Sequence, residues 1–194
     1  GRSANASGGT SYTEHYSHGF QVIRQNSSAP RMNIYARVGF KNVSATGDEY
    51  NRFEVGDRVC ALLTFDYNSG GTHVLKLYLN GQYQNQSTAS SFNPGSSPAS
   101  NIAGNDFNVA GVTNIQYKIY QIAWWGVCLD ATNAFALWNA GEPMDPTDDA
   151  CSYNQSSNLT ALHLMNEGSG TTLTDSVGSK NITLSGSPSW EDDA

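Results

Sequence analysis

Arg58–Gln82 reads RVCALLTFDYNSGGTHVLKLYLNGQ, and two alternating runs within it decide the fold class. Val59, Ala61, Leu63 and Phe65 recur at every second position, and so do Leu75, Leu77 and Leu79. Successive side chains of a β-strand point to opposite faces, so a period of two marks a strand with one buried face. The polar stretch between the runs contains Gly70 and Gly71, which suit a loop. Asn80-Gly81 is a dipeptide that tolerates the positive φ of a tight turn. The stretch therefore predicts strands over Arg58–Tyr67 and His73–Asn80 joined as a hairpin. Val74, Lys76 and Tyr78 face away from the leucines.

Upstream, Gly19–Arg24 (GFQVIR) and Arg31–Val38 (RMNIYARV) read as strands, the second alternating Met32, Ile34 and Ala36 against Asn33, Tyr35 and Arg37. Tyr12–Tyr16 is a further strand expectation. Residues 1–10 are small and polar and read as a flexible lead-in. Downstream, Gln84 to about Asn105 reads as a long polar loop, of a length that usually serves a function. Asp106–Ala110 reads as a short strand and Ile115–Leu129 as the longest one. Asp130 can cap a helix over Asp130–Ala140, with Ala131, Ala134, Phe135 and Trp138 as its apolar stripe and Gly141 as its stop. Asn158–Met165 and Asn181–Leu184 close the set. Some ten strands do not alternate with helices, so the expected fold class is all-β. The architecture that buries these faces is a two-sheet antiparallel β-sandwich with one short helix. The 194 residues suffice for one domain, expected over residues 11–194.

The formal net charge is −7 and charged residues make up only 14%. A nucleic-acid partner needs a basic patch, and no run of Lys or Arg supplies one. No apolar stretch reaches the roughly 20 residues that span a bilayer. A surface rich in Ser, Thr, Asn and Gly points to an extracellular protein, secreted, on a cell surface or on a virion. Cys60, Cys128 and Cys151 fit either one disulfide, with Cys128–Cys151 the preferred pair and Cys60 a buried thiol, or three reduced thiols. Seven N-x-S/T sequons, at Asn5, Asn26, Asn42, Asn85, Asn154, Asn158 and Asn181, permit N-glycosylation.

Three segments resemble the concanavalin A-like superfamily, specifically the laminin G-like jelly rolls of bacterial and phage surface proteins. They are the hairpin at Arg58–Gln82, YQIAWWGVCLDATNAFALWNAGEPMD at Tyr120–Asp145, and LTALHLMNEGSGTTLTDSVGSKNITLSGSPSW at Leu159–Trp190. The resemblance implies a jelly roll and a lectin-like role. It also implies two opening strands that this sequence does not display. The chain is then a fragment, or lacks them, or takes them from a protein partner at an open sheet edge.

Related glucanases carry paired carboxylates on one strand face, about 5–5.5 Å apart for retaining hydrolysis. Glu54 and Asp57 have the wrong spacing for this, and Asp48 and Glu49 are adjacent and would point to opposite faces. His15, His18, His73 and His163 are dispersed, with no zinc spacing. An enzyme is therefore not expected. Calcium is the expected metal by resemblance, with Asp106 and Asp175 as candidate ligands. For Asp175 the competing reading is a side chain that accepts turn N–H groups. Candidate ligand-binding rings are Tyr35, Tyr50, Tyr78 and Tyr83, since aromatic faces stack on sugars. The alternative for each is cross-strand packing. The leading expectation is a non-catalytic recognition or adhesion domain binding a glycan or a cell surface. The second is a structural subunit of a virion, as a decoration or fibre protein, or of an extracellular filament. A hydrolase or lyase ranks last.

Overall fold

A computed structural model describes residues 18–24, 32–38, 41–44, 56–68, 71–90, 118–142, 144–184 and 189–191. For the first three ranges only the backbone is described. The chain divides into two compact units, Gly1–Gly111 and Val112–Ala194.

The first unit holds two antiparallel three-stranded sheets. One is β1 (His18–Arg24), β2 (Met32–Val38) and β3 (Lys41–Ser44), in that order. The other is β4 (Ala61–Asp66), β5 (His73–Leu79) and β6 (Gln82–Ala89). Strand β3 lies close to β6 and β5. The leucine alternation does what its period requires. Leu75, Leu77 and Leu79 are buried as a cluster, and Ala61, Leu63 and Phe65 pack against it. The register sets Ala61 opposite Leu79, Leu63 opposite Leu77 and Phe65 opposite Leu75. Each buried leucine contributes about 1.5–3 kcal/mol by removal from water.

Asn80 and Gly81 have φ of 50° and 74°, the double positive φ of the hairpin turn expected of this dipeptide. Asn80 also reaches β4: its Oδ1 accepts the Cys60 N–H at 3.0 Å, and its own N–H donates to the Cys60 carbonyl at 2.8 Å. At the far end of the hairpin, His73 is buried, and its Nδ1 accepts the Asn68 N–H. Tyr67 lies flat on the His73 ring, with centroids 4.8 Å apart.

The expected loop beginning at Gln84 is corrected over its first part. Residues 82–89 form β6 and pair with β5. Gln, Asn, Ser and Thr carry no apolar alternation, yet their main-chain groups complete the ladder as well as any other residue's. Residues 91–105 lie outside the described residues, as do the strand expectations at Tyr12–Tyr16 and Asp106–Ala110.

The second unit pairs β7 (Ile122–Trp125) with β8 (Leu159–His163), and β9 (Thr172–Leu173) with β10 (Ile182–Thr183), both antiparallel. The expected strand through Leu129 stops at Trp125. The register shifts between Trp124 and Trp125, Gly126 donates to the Asn158 carbonyl, and Val127 turns to solvent. Helix α1 (Ala131–Trp138) is capped by Asp130, whose Oδ1 accepts the Asn133 N–H at 2.8 Å. Its buried side differs from the apolar stripe expected. Asn133, Ala134 and Ala136 are buried, whereas Phe135 is 65% exposed. Asn133 is drawn inward by hydrogen bonds, donating to Asp130 and accepting the Asn154 N–H. The helix ends at Asn139, with φ 44°, two residues before Gly141. No disulfide joins Cys128 and Cys151, which are both exposed. Cys60 is half-buried rather than fully covered, and burial pushes its thiol pKa up.

Candidate functional site

The face of β4–β6 opposite the leucine cluster carries three cross-strand rows. They are Leu62–Tyr78–Tyr83, then Thr64–Lys76–Gln86, then Asp66–Val74–Thr88. Tyr83 reaches this face through the register of the Asn80-Gly81 turn, which sets Gln82 opposite Leu79 and Tyr83 opposite Tyr78. The register then shifts between Tyr78 and Leu77, and from Asn85 to Ala89 the odd-numbered residues of β6 oppose Leu77, Leu75 and His73, on the leucine side. An extra residue on one strand of a pair re-aims the side chains beyond it, and here it brings Gln86 and Thr88 onto the face that carries Tyr83.

The two rings meet edge to face with centroids 5.8 Å apart. Their exposures differ sharply: Tyr78 is 4% exposed and Tyr83 is 50% exposed. Buried Tyr78 therefore buttresses a ring whose other surface meets solvent. Along the middle row exposure falls from β6 inward: Gln86 is exposed, Lys76 is half-buried and Thr64 is buried, while Thr88 and Asp66 are exposed at the two ends of the third row. The arrangement offers one flat apolar surface beside an amide, a hydroxyl and an ammonium group, which suits a ligand with both a ring face and polar edges.

The other tyrosine candidates do not join this pair among the described residues. Tyr35 sits on β2 between Gln21 and Ser44 in the register, with only its backbone described, and Tyr50 lies outside the described residues. Lys76 and Gln86 were not among the candidates. Lys76 was legible as the neighbour of Tyr78 on an alternating strand. Gln86 was hidden because its strand read as loop.

Asp106 lies outside the described residues. Asp175 is buried and fully engaged. Its Oδ1 accepts the N–H groups of Leu162, Val177 and Gly178, and its Oδ2 accepts that of Lys180. Burial alone would raise its pKa, but the four donors outweigh it and hold the carboxyl well below the usual carboxylate range. Gly178 permits this wrapping, because a Cβ there would stand 2.7 Å from Asp175 Oδ2 and 3.0 Å from the Thr160 carbonyl. This is the turn-accepting role set against metal binding for this residue. Among the described residues no three His, Cys, Asp or Glu side chains come together as a metal would need.

Elsewhere in the second unit, the Trp125 indole N–H donates to Tyr153 Oη, which donates to the Pro146 carbonyl. This ties β7 to the acidic loop. His163 is buried with its ring against the edge of Trp124, and its Nδ1 has no hydrogen-bond partner among the described residues. No helix among the described residues is long and apolar enough to cross a membrane. Compared with known proteins, the chain matches no family model, no curated protein and no solved structure.

Proposed function

We propose that this chain is a non-catalytic recognition domain that binds carbohydrate through the Tyr83 face of β4–β6, on a secreted, cell-surface or virion-borne protein. The proposal includes closure of the antiparallel sheets into a laminin G-like sandwich, in keeping with the three sequence segments that resemble that family. The observation that carries it is the half-exposed Tyr83 ring, set opposite buried Tyr78 by the hairpin register and braced by it. Gln86 and Thr88 stand on the same face and supply the hydrogen-bonding edge that sugar hydroxyls require.

The test is a glycan array followed by calorimetric titration of the best ligand with the wild-type chain and Tyr83→Ala. The substitution is expected to weaken binding at least tenfold, about 1.4 kcal/mol, with the far-ultraviolet dichroism unchanged. Equal affinity of the two proteins, or no glycan bound by folded wild type at millimolar concentration, would defeat the proposal.

A further inference from the structure

Lys76 occupies the middle position of the Tyr83 face, between Thr64 and Gln86. It is half-buried, and no ion pair or hydrogen bond holds its ammonium among the described residues. The other side chains of the three rows are uncharged except Asp66. That carboxylate is exposed and lies one row away on β4, a diagonal separation of about 7–8 Å. Among the described residues this half-covered cation has lost part of its hydration without gaining a counter-charge, in a chain of net charge −7. Tyr83 lies on the other diagonal from Lys76, within reach of the long lysine stem.

We propose that the sugar bound on Tyr83 is an acidic one, carrying a carboxylate or a sulfate ester that meets the Lys76 ammonium. The inference rests on the carbohydrate reading above. A pyranose ring stacked on Tyr83 directs its exocyclic substituent along the face, and an anionic substituent there completes a charge-assisted bond that a neutral hydroxymethyl cannot match. The attraction is local. The rest of the chain is acidic, so a polyanion without a ring to stack gains nothing from long-range charge.

The experiment compares three oligosaccharides of the same backbone: neutral, oxidised to the uronate, and sulfated. Each is titrated into the full chain as wild type, Lys76→Gln, Lys76→Arg and Tyr83→Ala, with thermal melts confirming that all four fold. Wild type is expected to bind at least one acidic form tenfold or more tighter than the neutral one, and the better acidic form identifies the group. Lys76→Gln should erase that preference, Lys76→Arg should retain it, and Tyr83→Ala should weaken every ligand. Equal binding of neutral and acidic forms, or a preference that survives Lys76→Gln, overturns the acidic ligand and leaves the carbohydrate reading standing. Failure of folded wild type to bind any of the three, after a negative array, overturns both.

Discussion

A carboxylate that accepts four main-chain N–H groups cannot be exchanged for an amide without turning an acceptor into a donor. At Asp175 those donors come from Leu162 on β8 and from the turn at Val177, Gly178 and Lys180, so one side chain fastens the closing segment to the sheet. Asp175→Asn is expected to destabilise the protein by about 2–4 kcal/mol, through buried donors left unmatched. The folded carboxyl sits below its unfolded value of about 3.9, so the unfolded chain takes up the proton first as pH falls. The contribution of Asp175 is therefore complete at neutral pH and is lost as pH drops below about 4 toward the folded pKa. Urea midpoints measured from pH 7 to pH 3 should fall more steeply for wild type than for Asp175→Asn, and parallel curves would contradict this account. The residue was half legible in the sequence. An Asp before Ser, Val and Gly predicts a turn acceptor, but the donor from Leu162 belongs to the tertiary fold and leaves no local signal.

Between elements, the leucine hairpin was readable because Leu75, Leu77 and Leu79 alternate and are buried together, although Thr64 and Tyr78 on the other face are buried as well. The misread elements share a physical cause, since main-chain pairing and packing there did not follow side-chain hydrophobicity. Strand β6 is polar apart from Tyr83 and Ala89, helix α1 buries Asn133 while exposing Phe135, and the β7 strand ends where Gly126 bonds to Asn158. The register shift in β6 yields a test at this scale. Deleting Gln84 should restore plain alternation along β6 and leave Tyr83 opposite Tyr78, with Asn85 still opposite Leu77 and Gln86 opposite Lys76. Binding through the Tyr83 face should then survive with the hairpin intact. Lost binding by the deletion variant, alongside an unchanged dichroism spectrum, would show that the extra residue itself shapes the site. The candidate site was legible as tyrosines on a strand. Their pairing follows from the two-residue Asn80-Gly81 turn, whereas the arrival of Gln86 and Thr88 beside them was not legible, because it depends on one extra residue that no periodicity announces.

Across the whole chain, charge is distributed unevenly. From Ile119 to Ser179 there are seven acidic residues and no Lys or Arg. Like charges so gathered repel within about 30 Å at 0.01 M salt, but within only about 8 Å at 0.15 M. Raising sodium chloride across that range is expected to increase the melting temperature, as scanning calorimetry would register. A decrease would mean that attractive pairs such as Lys118–Glu191 dominate instead.

The Asn80-Gly81 turn also gives the molecule a clock. An asparagine followed by glycine is where a chain ages fastest, since the glycine nitrogen can attack the neighbouring amide carbon and expel ammonia. Here the amide oxygen is tethered to Cys60, so the turn must loosen before the attack can begin. Water then opens the succinimide so formed, and the isoaspartyl product adds one carbon to a connection only two residues long and leaves a new carboxylate beside it. Old preparations would then lose the strand pairing that presents the Tyr83 ring before they lose the leucine core beneath it.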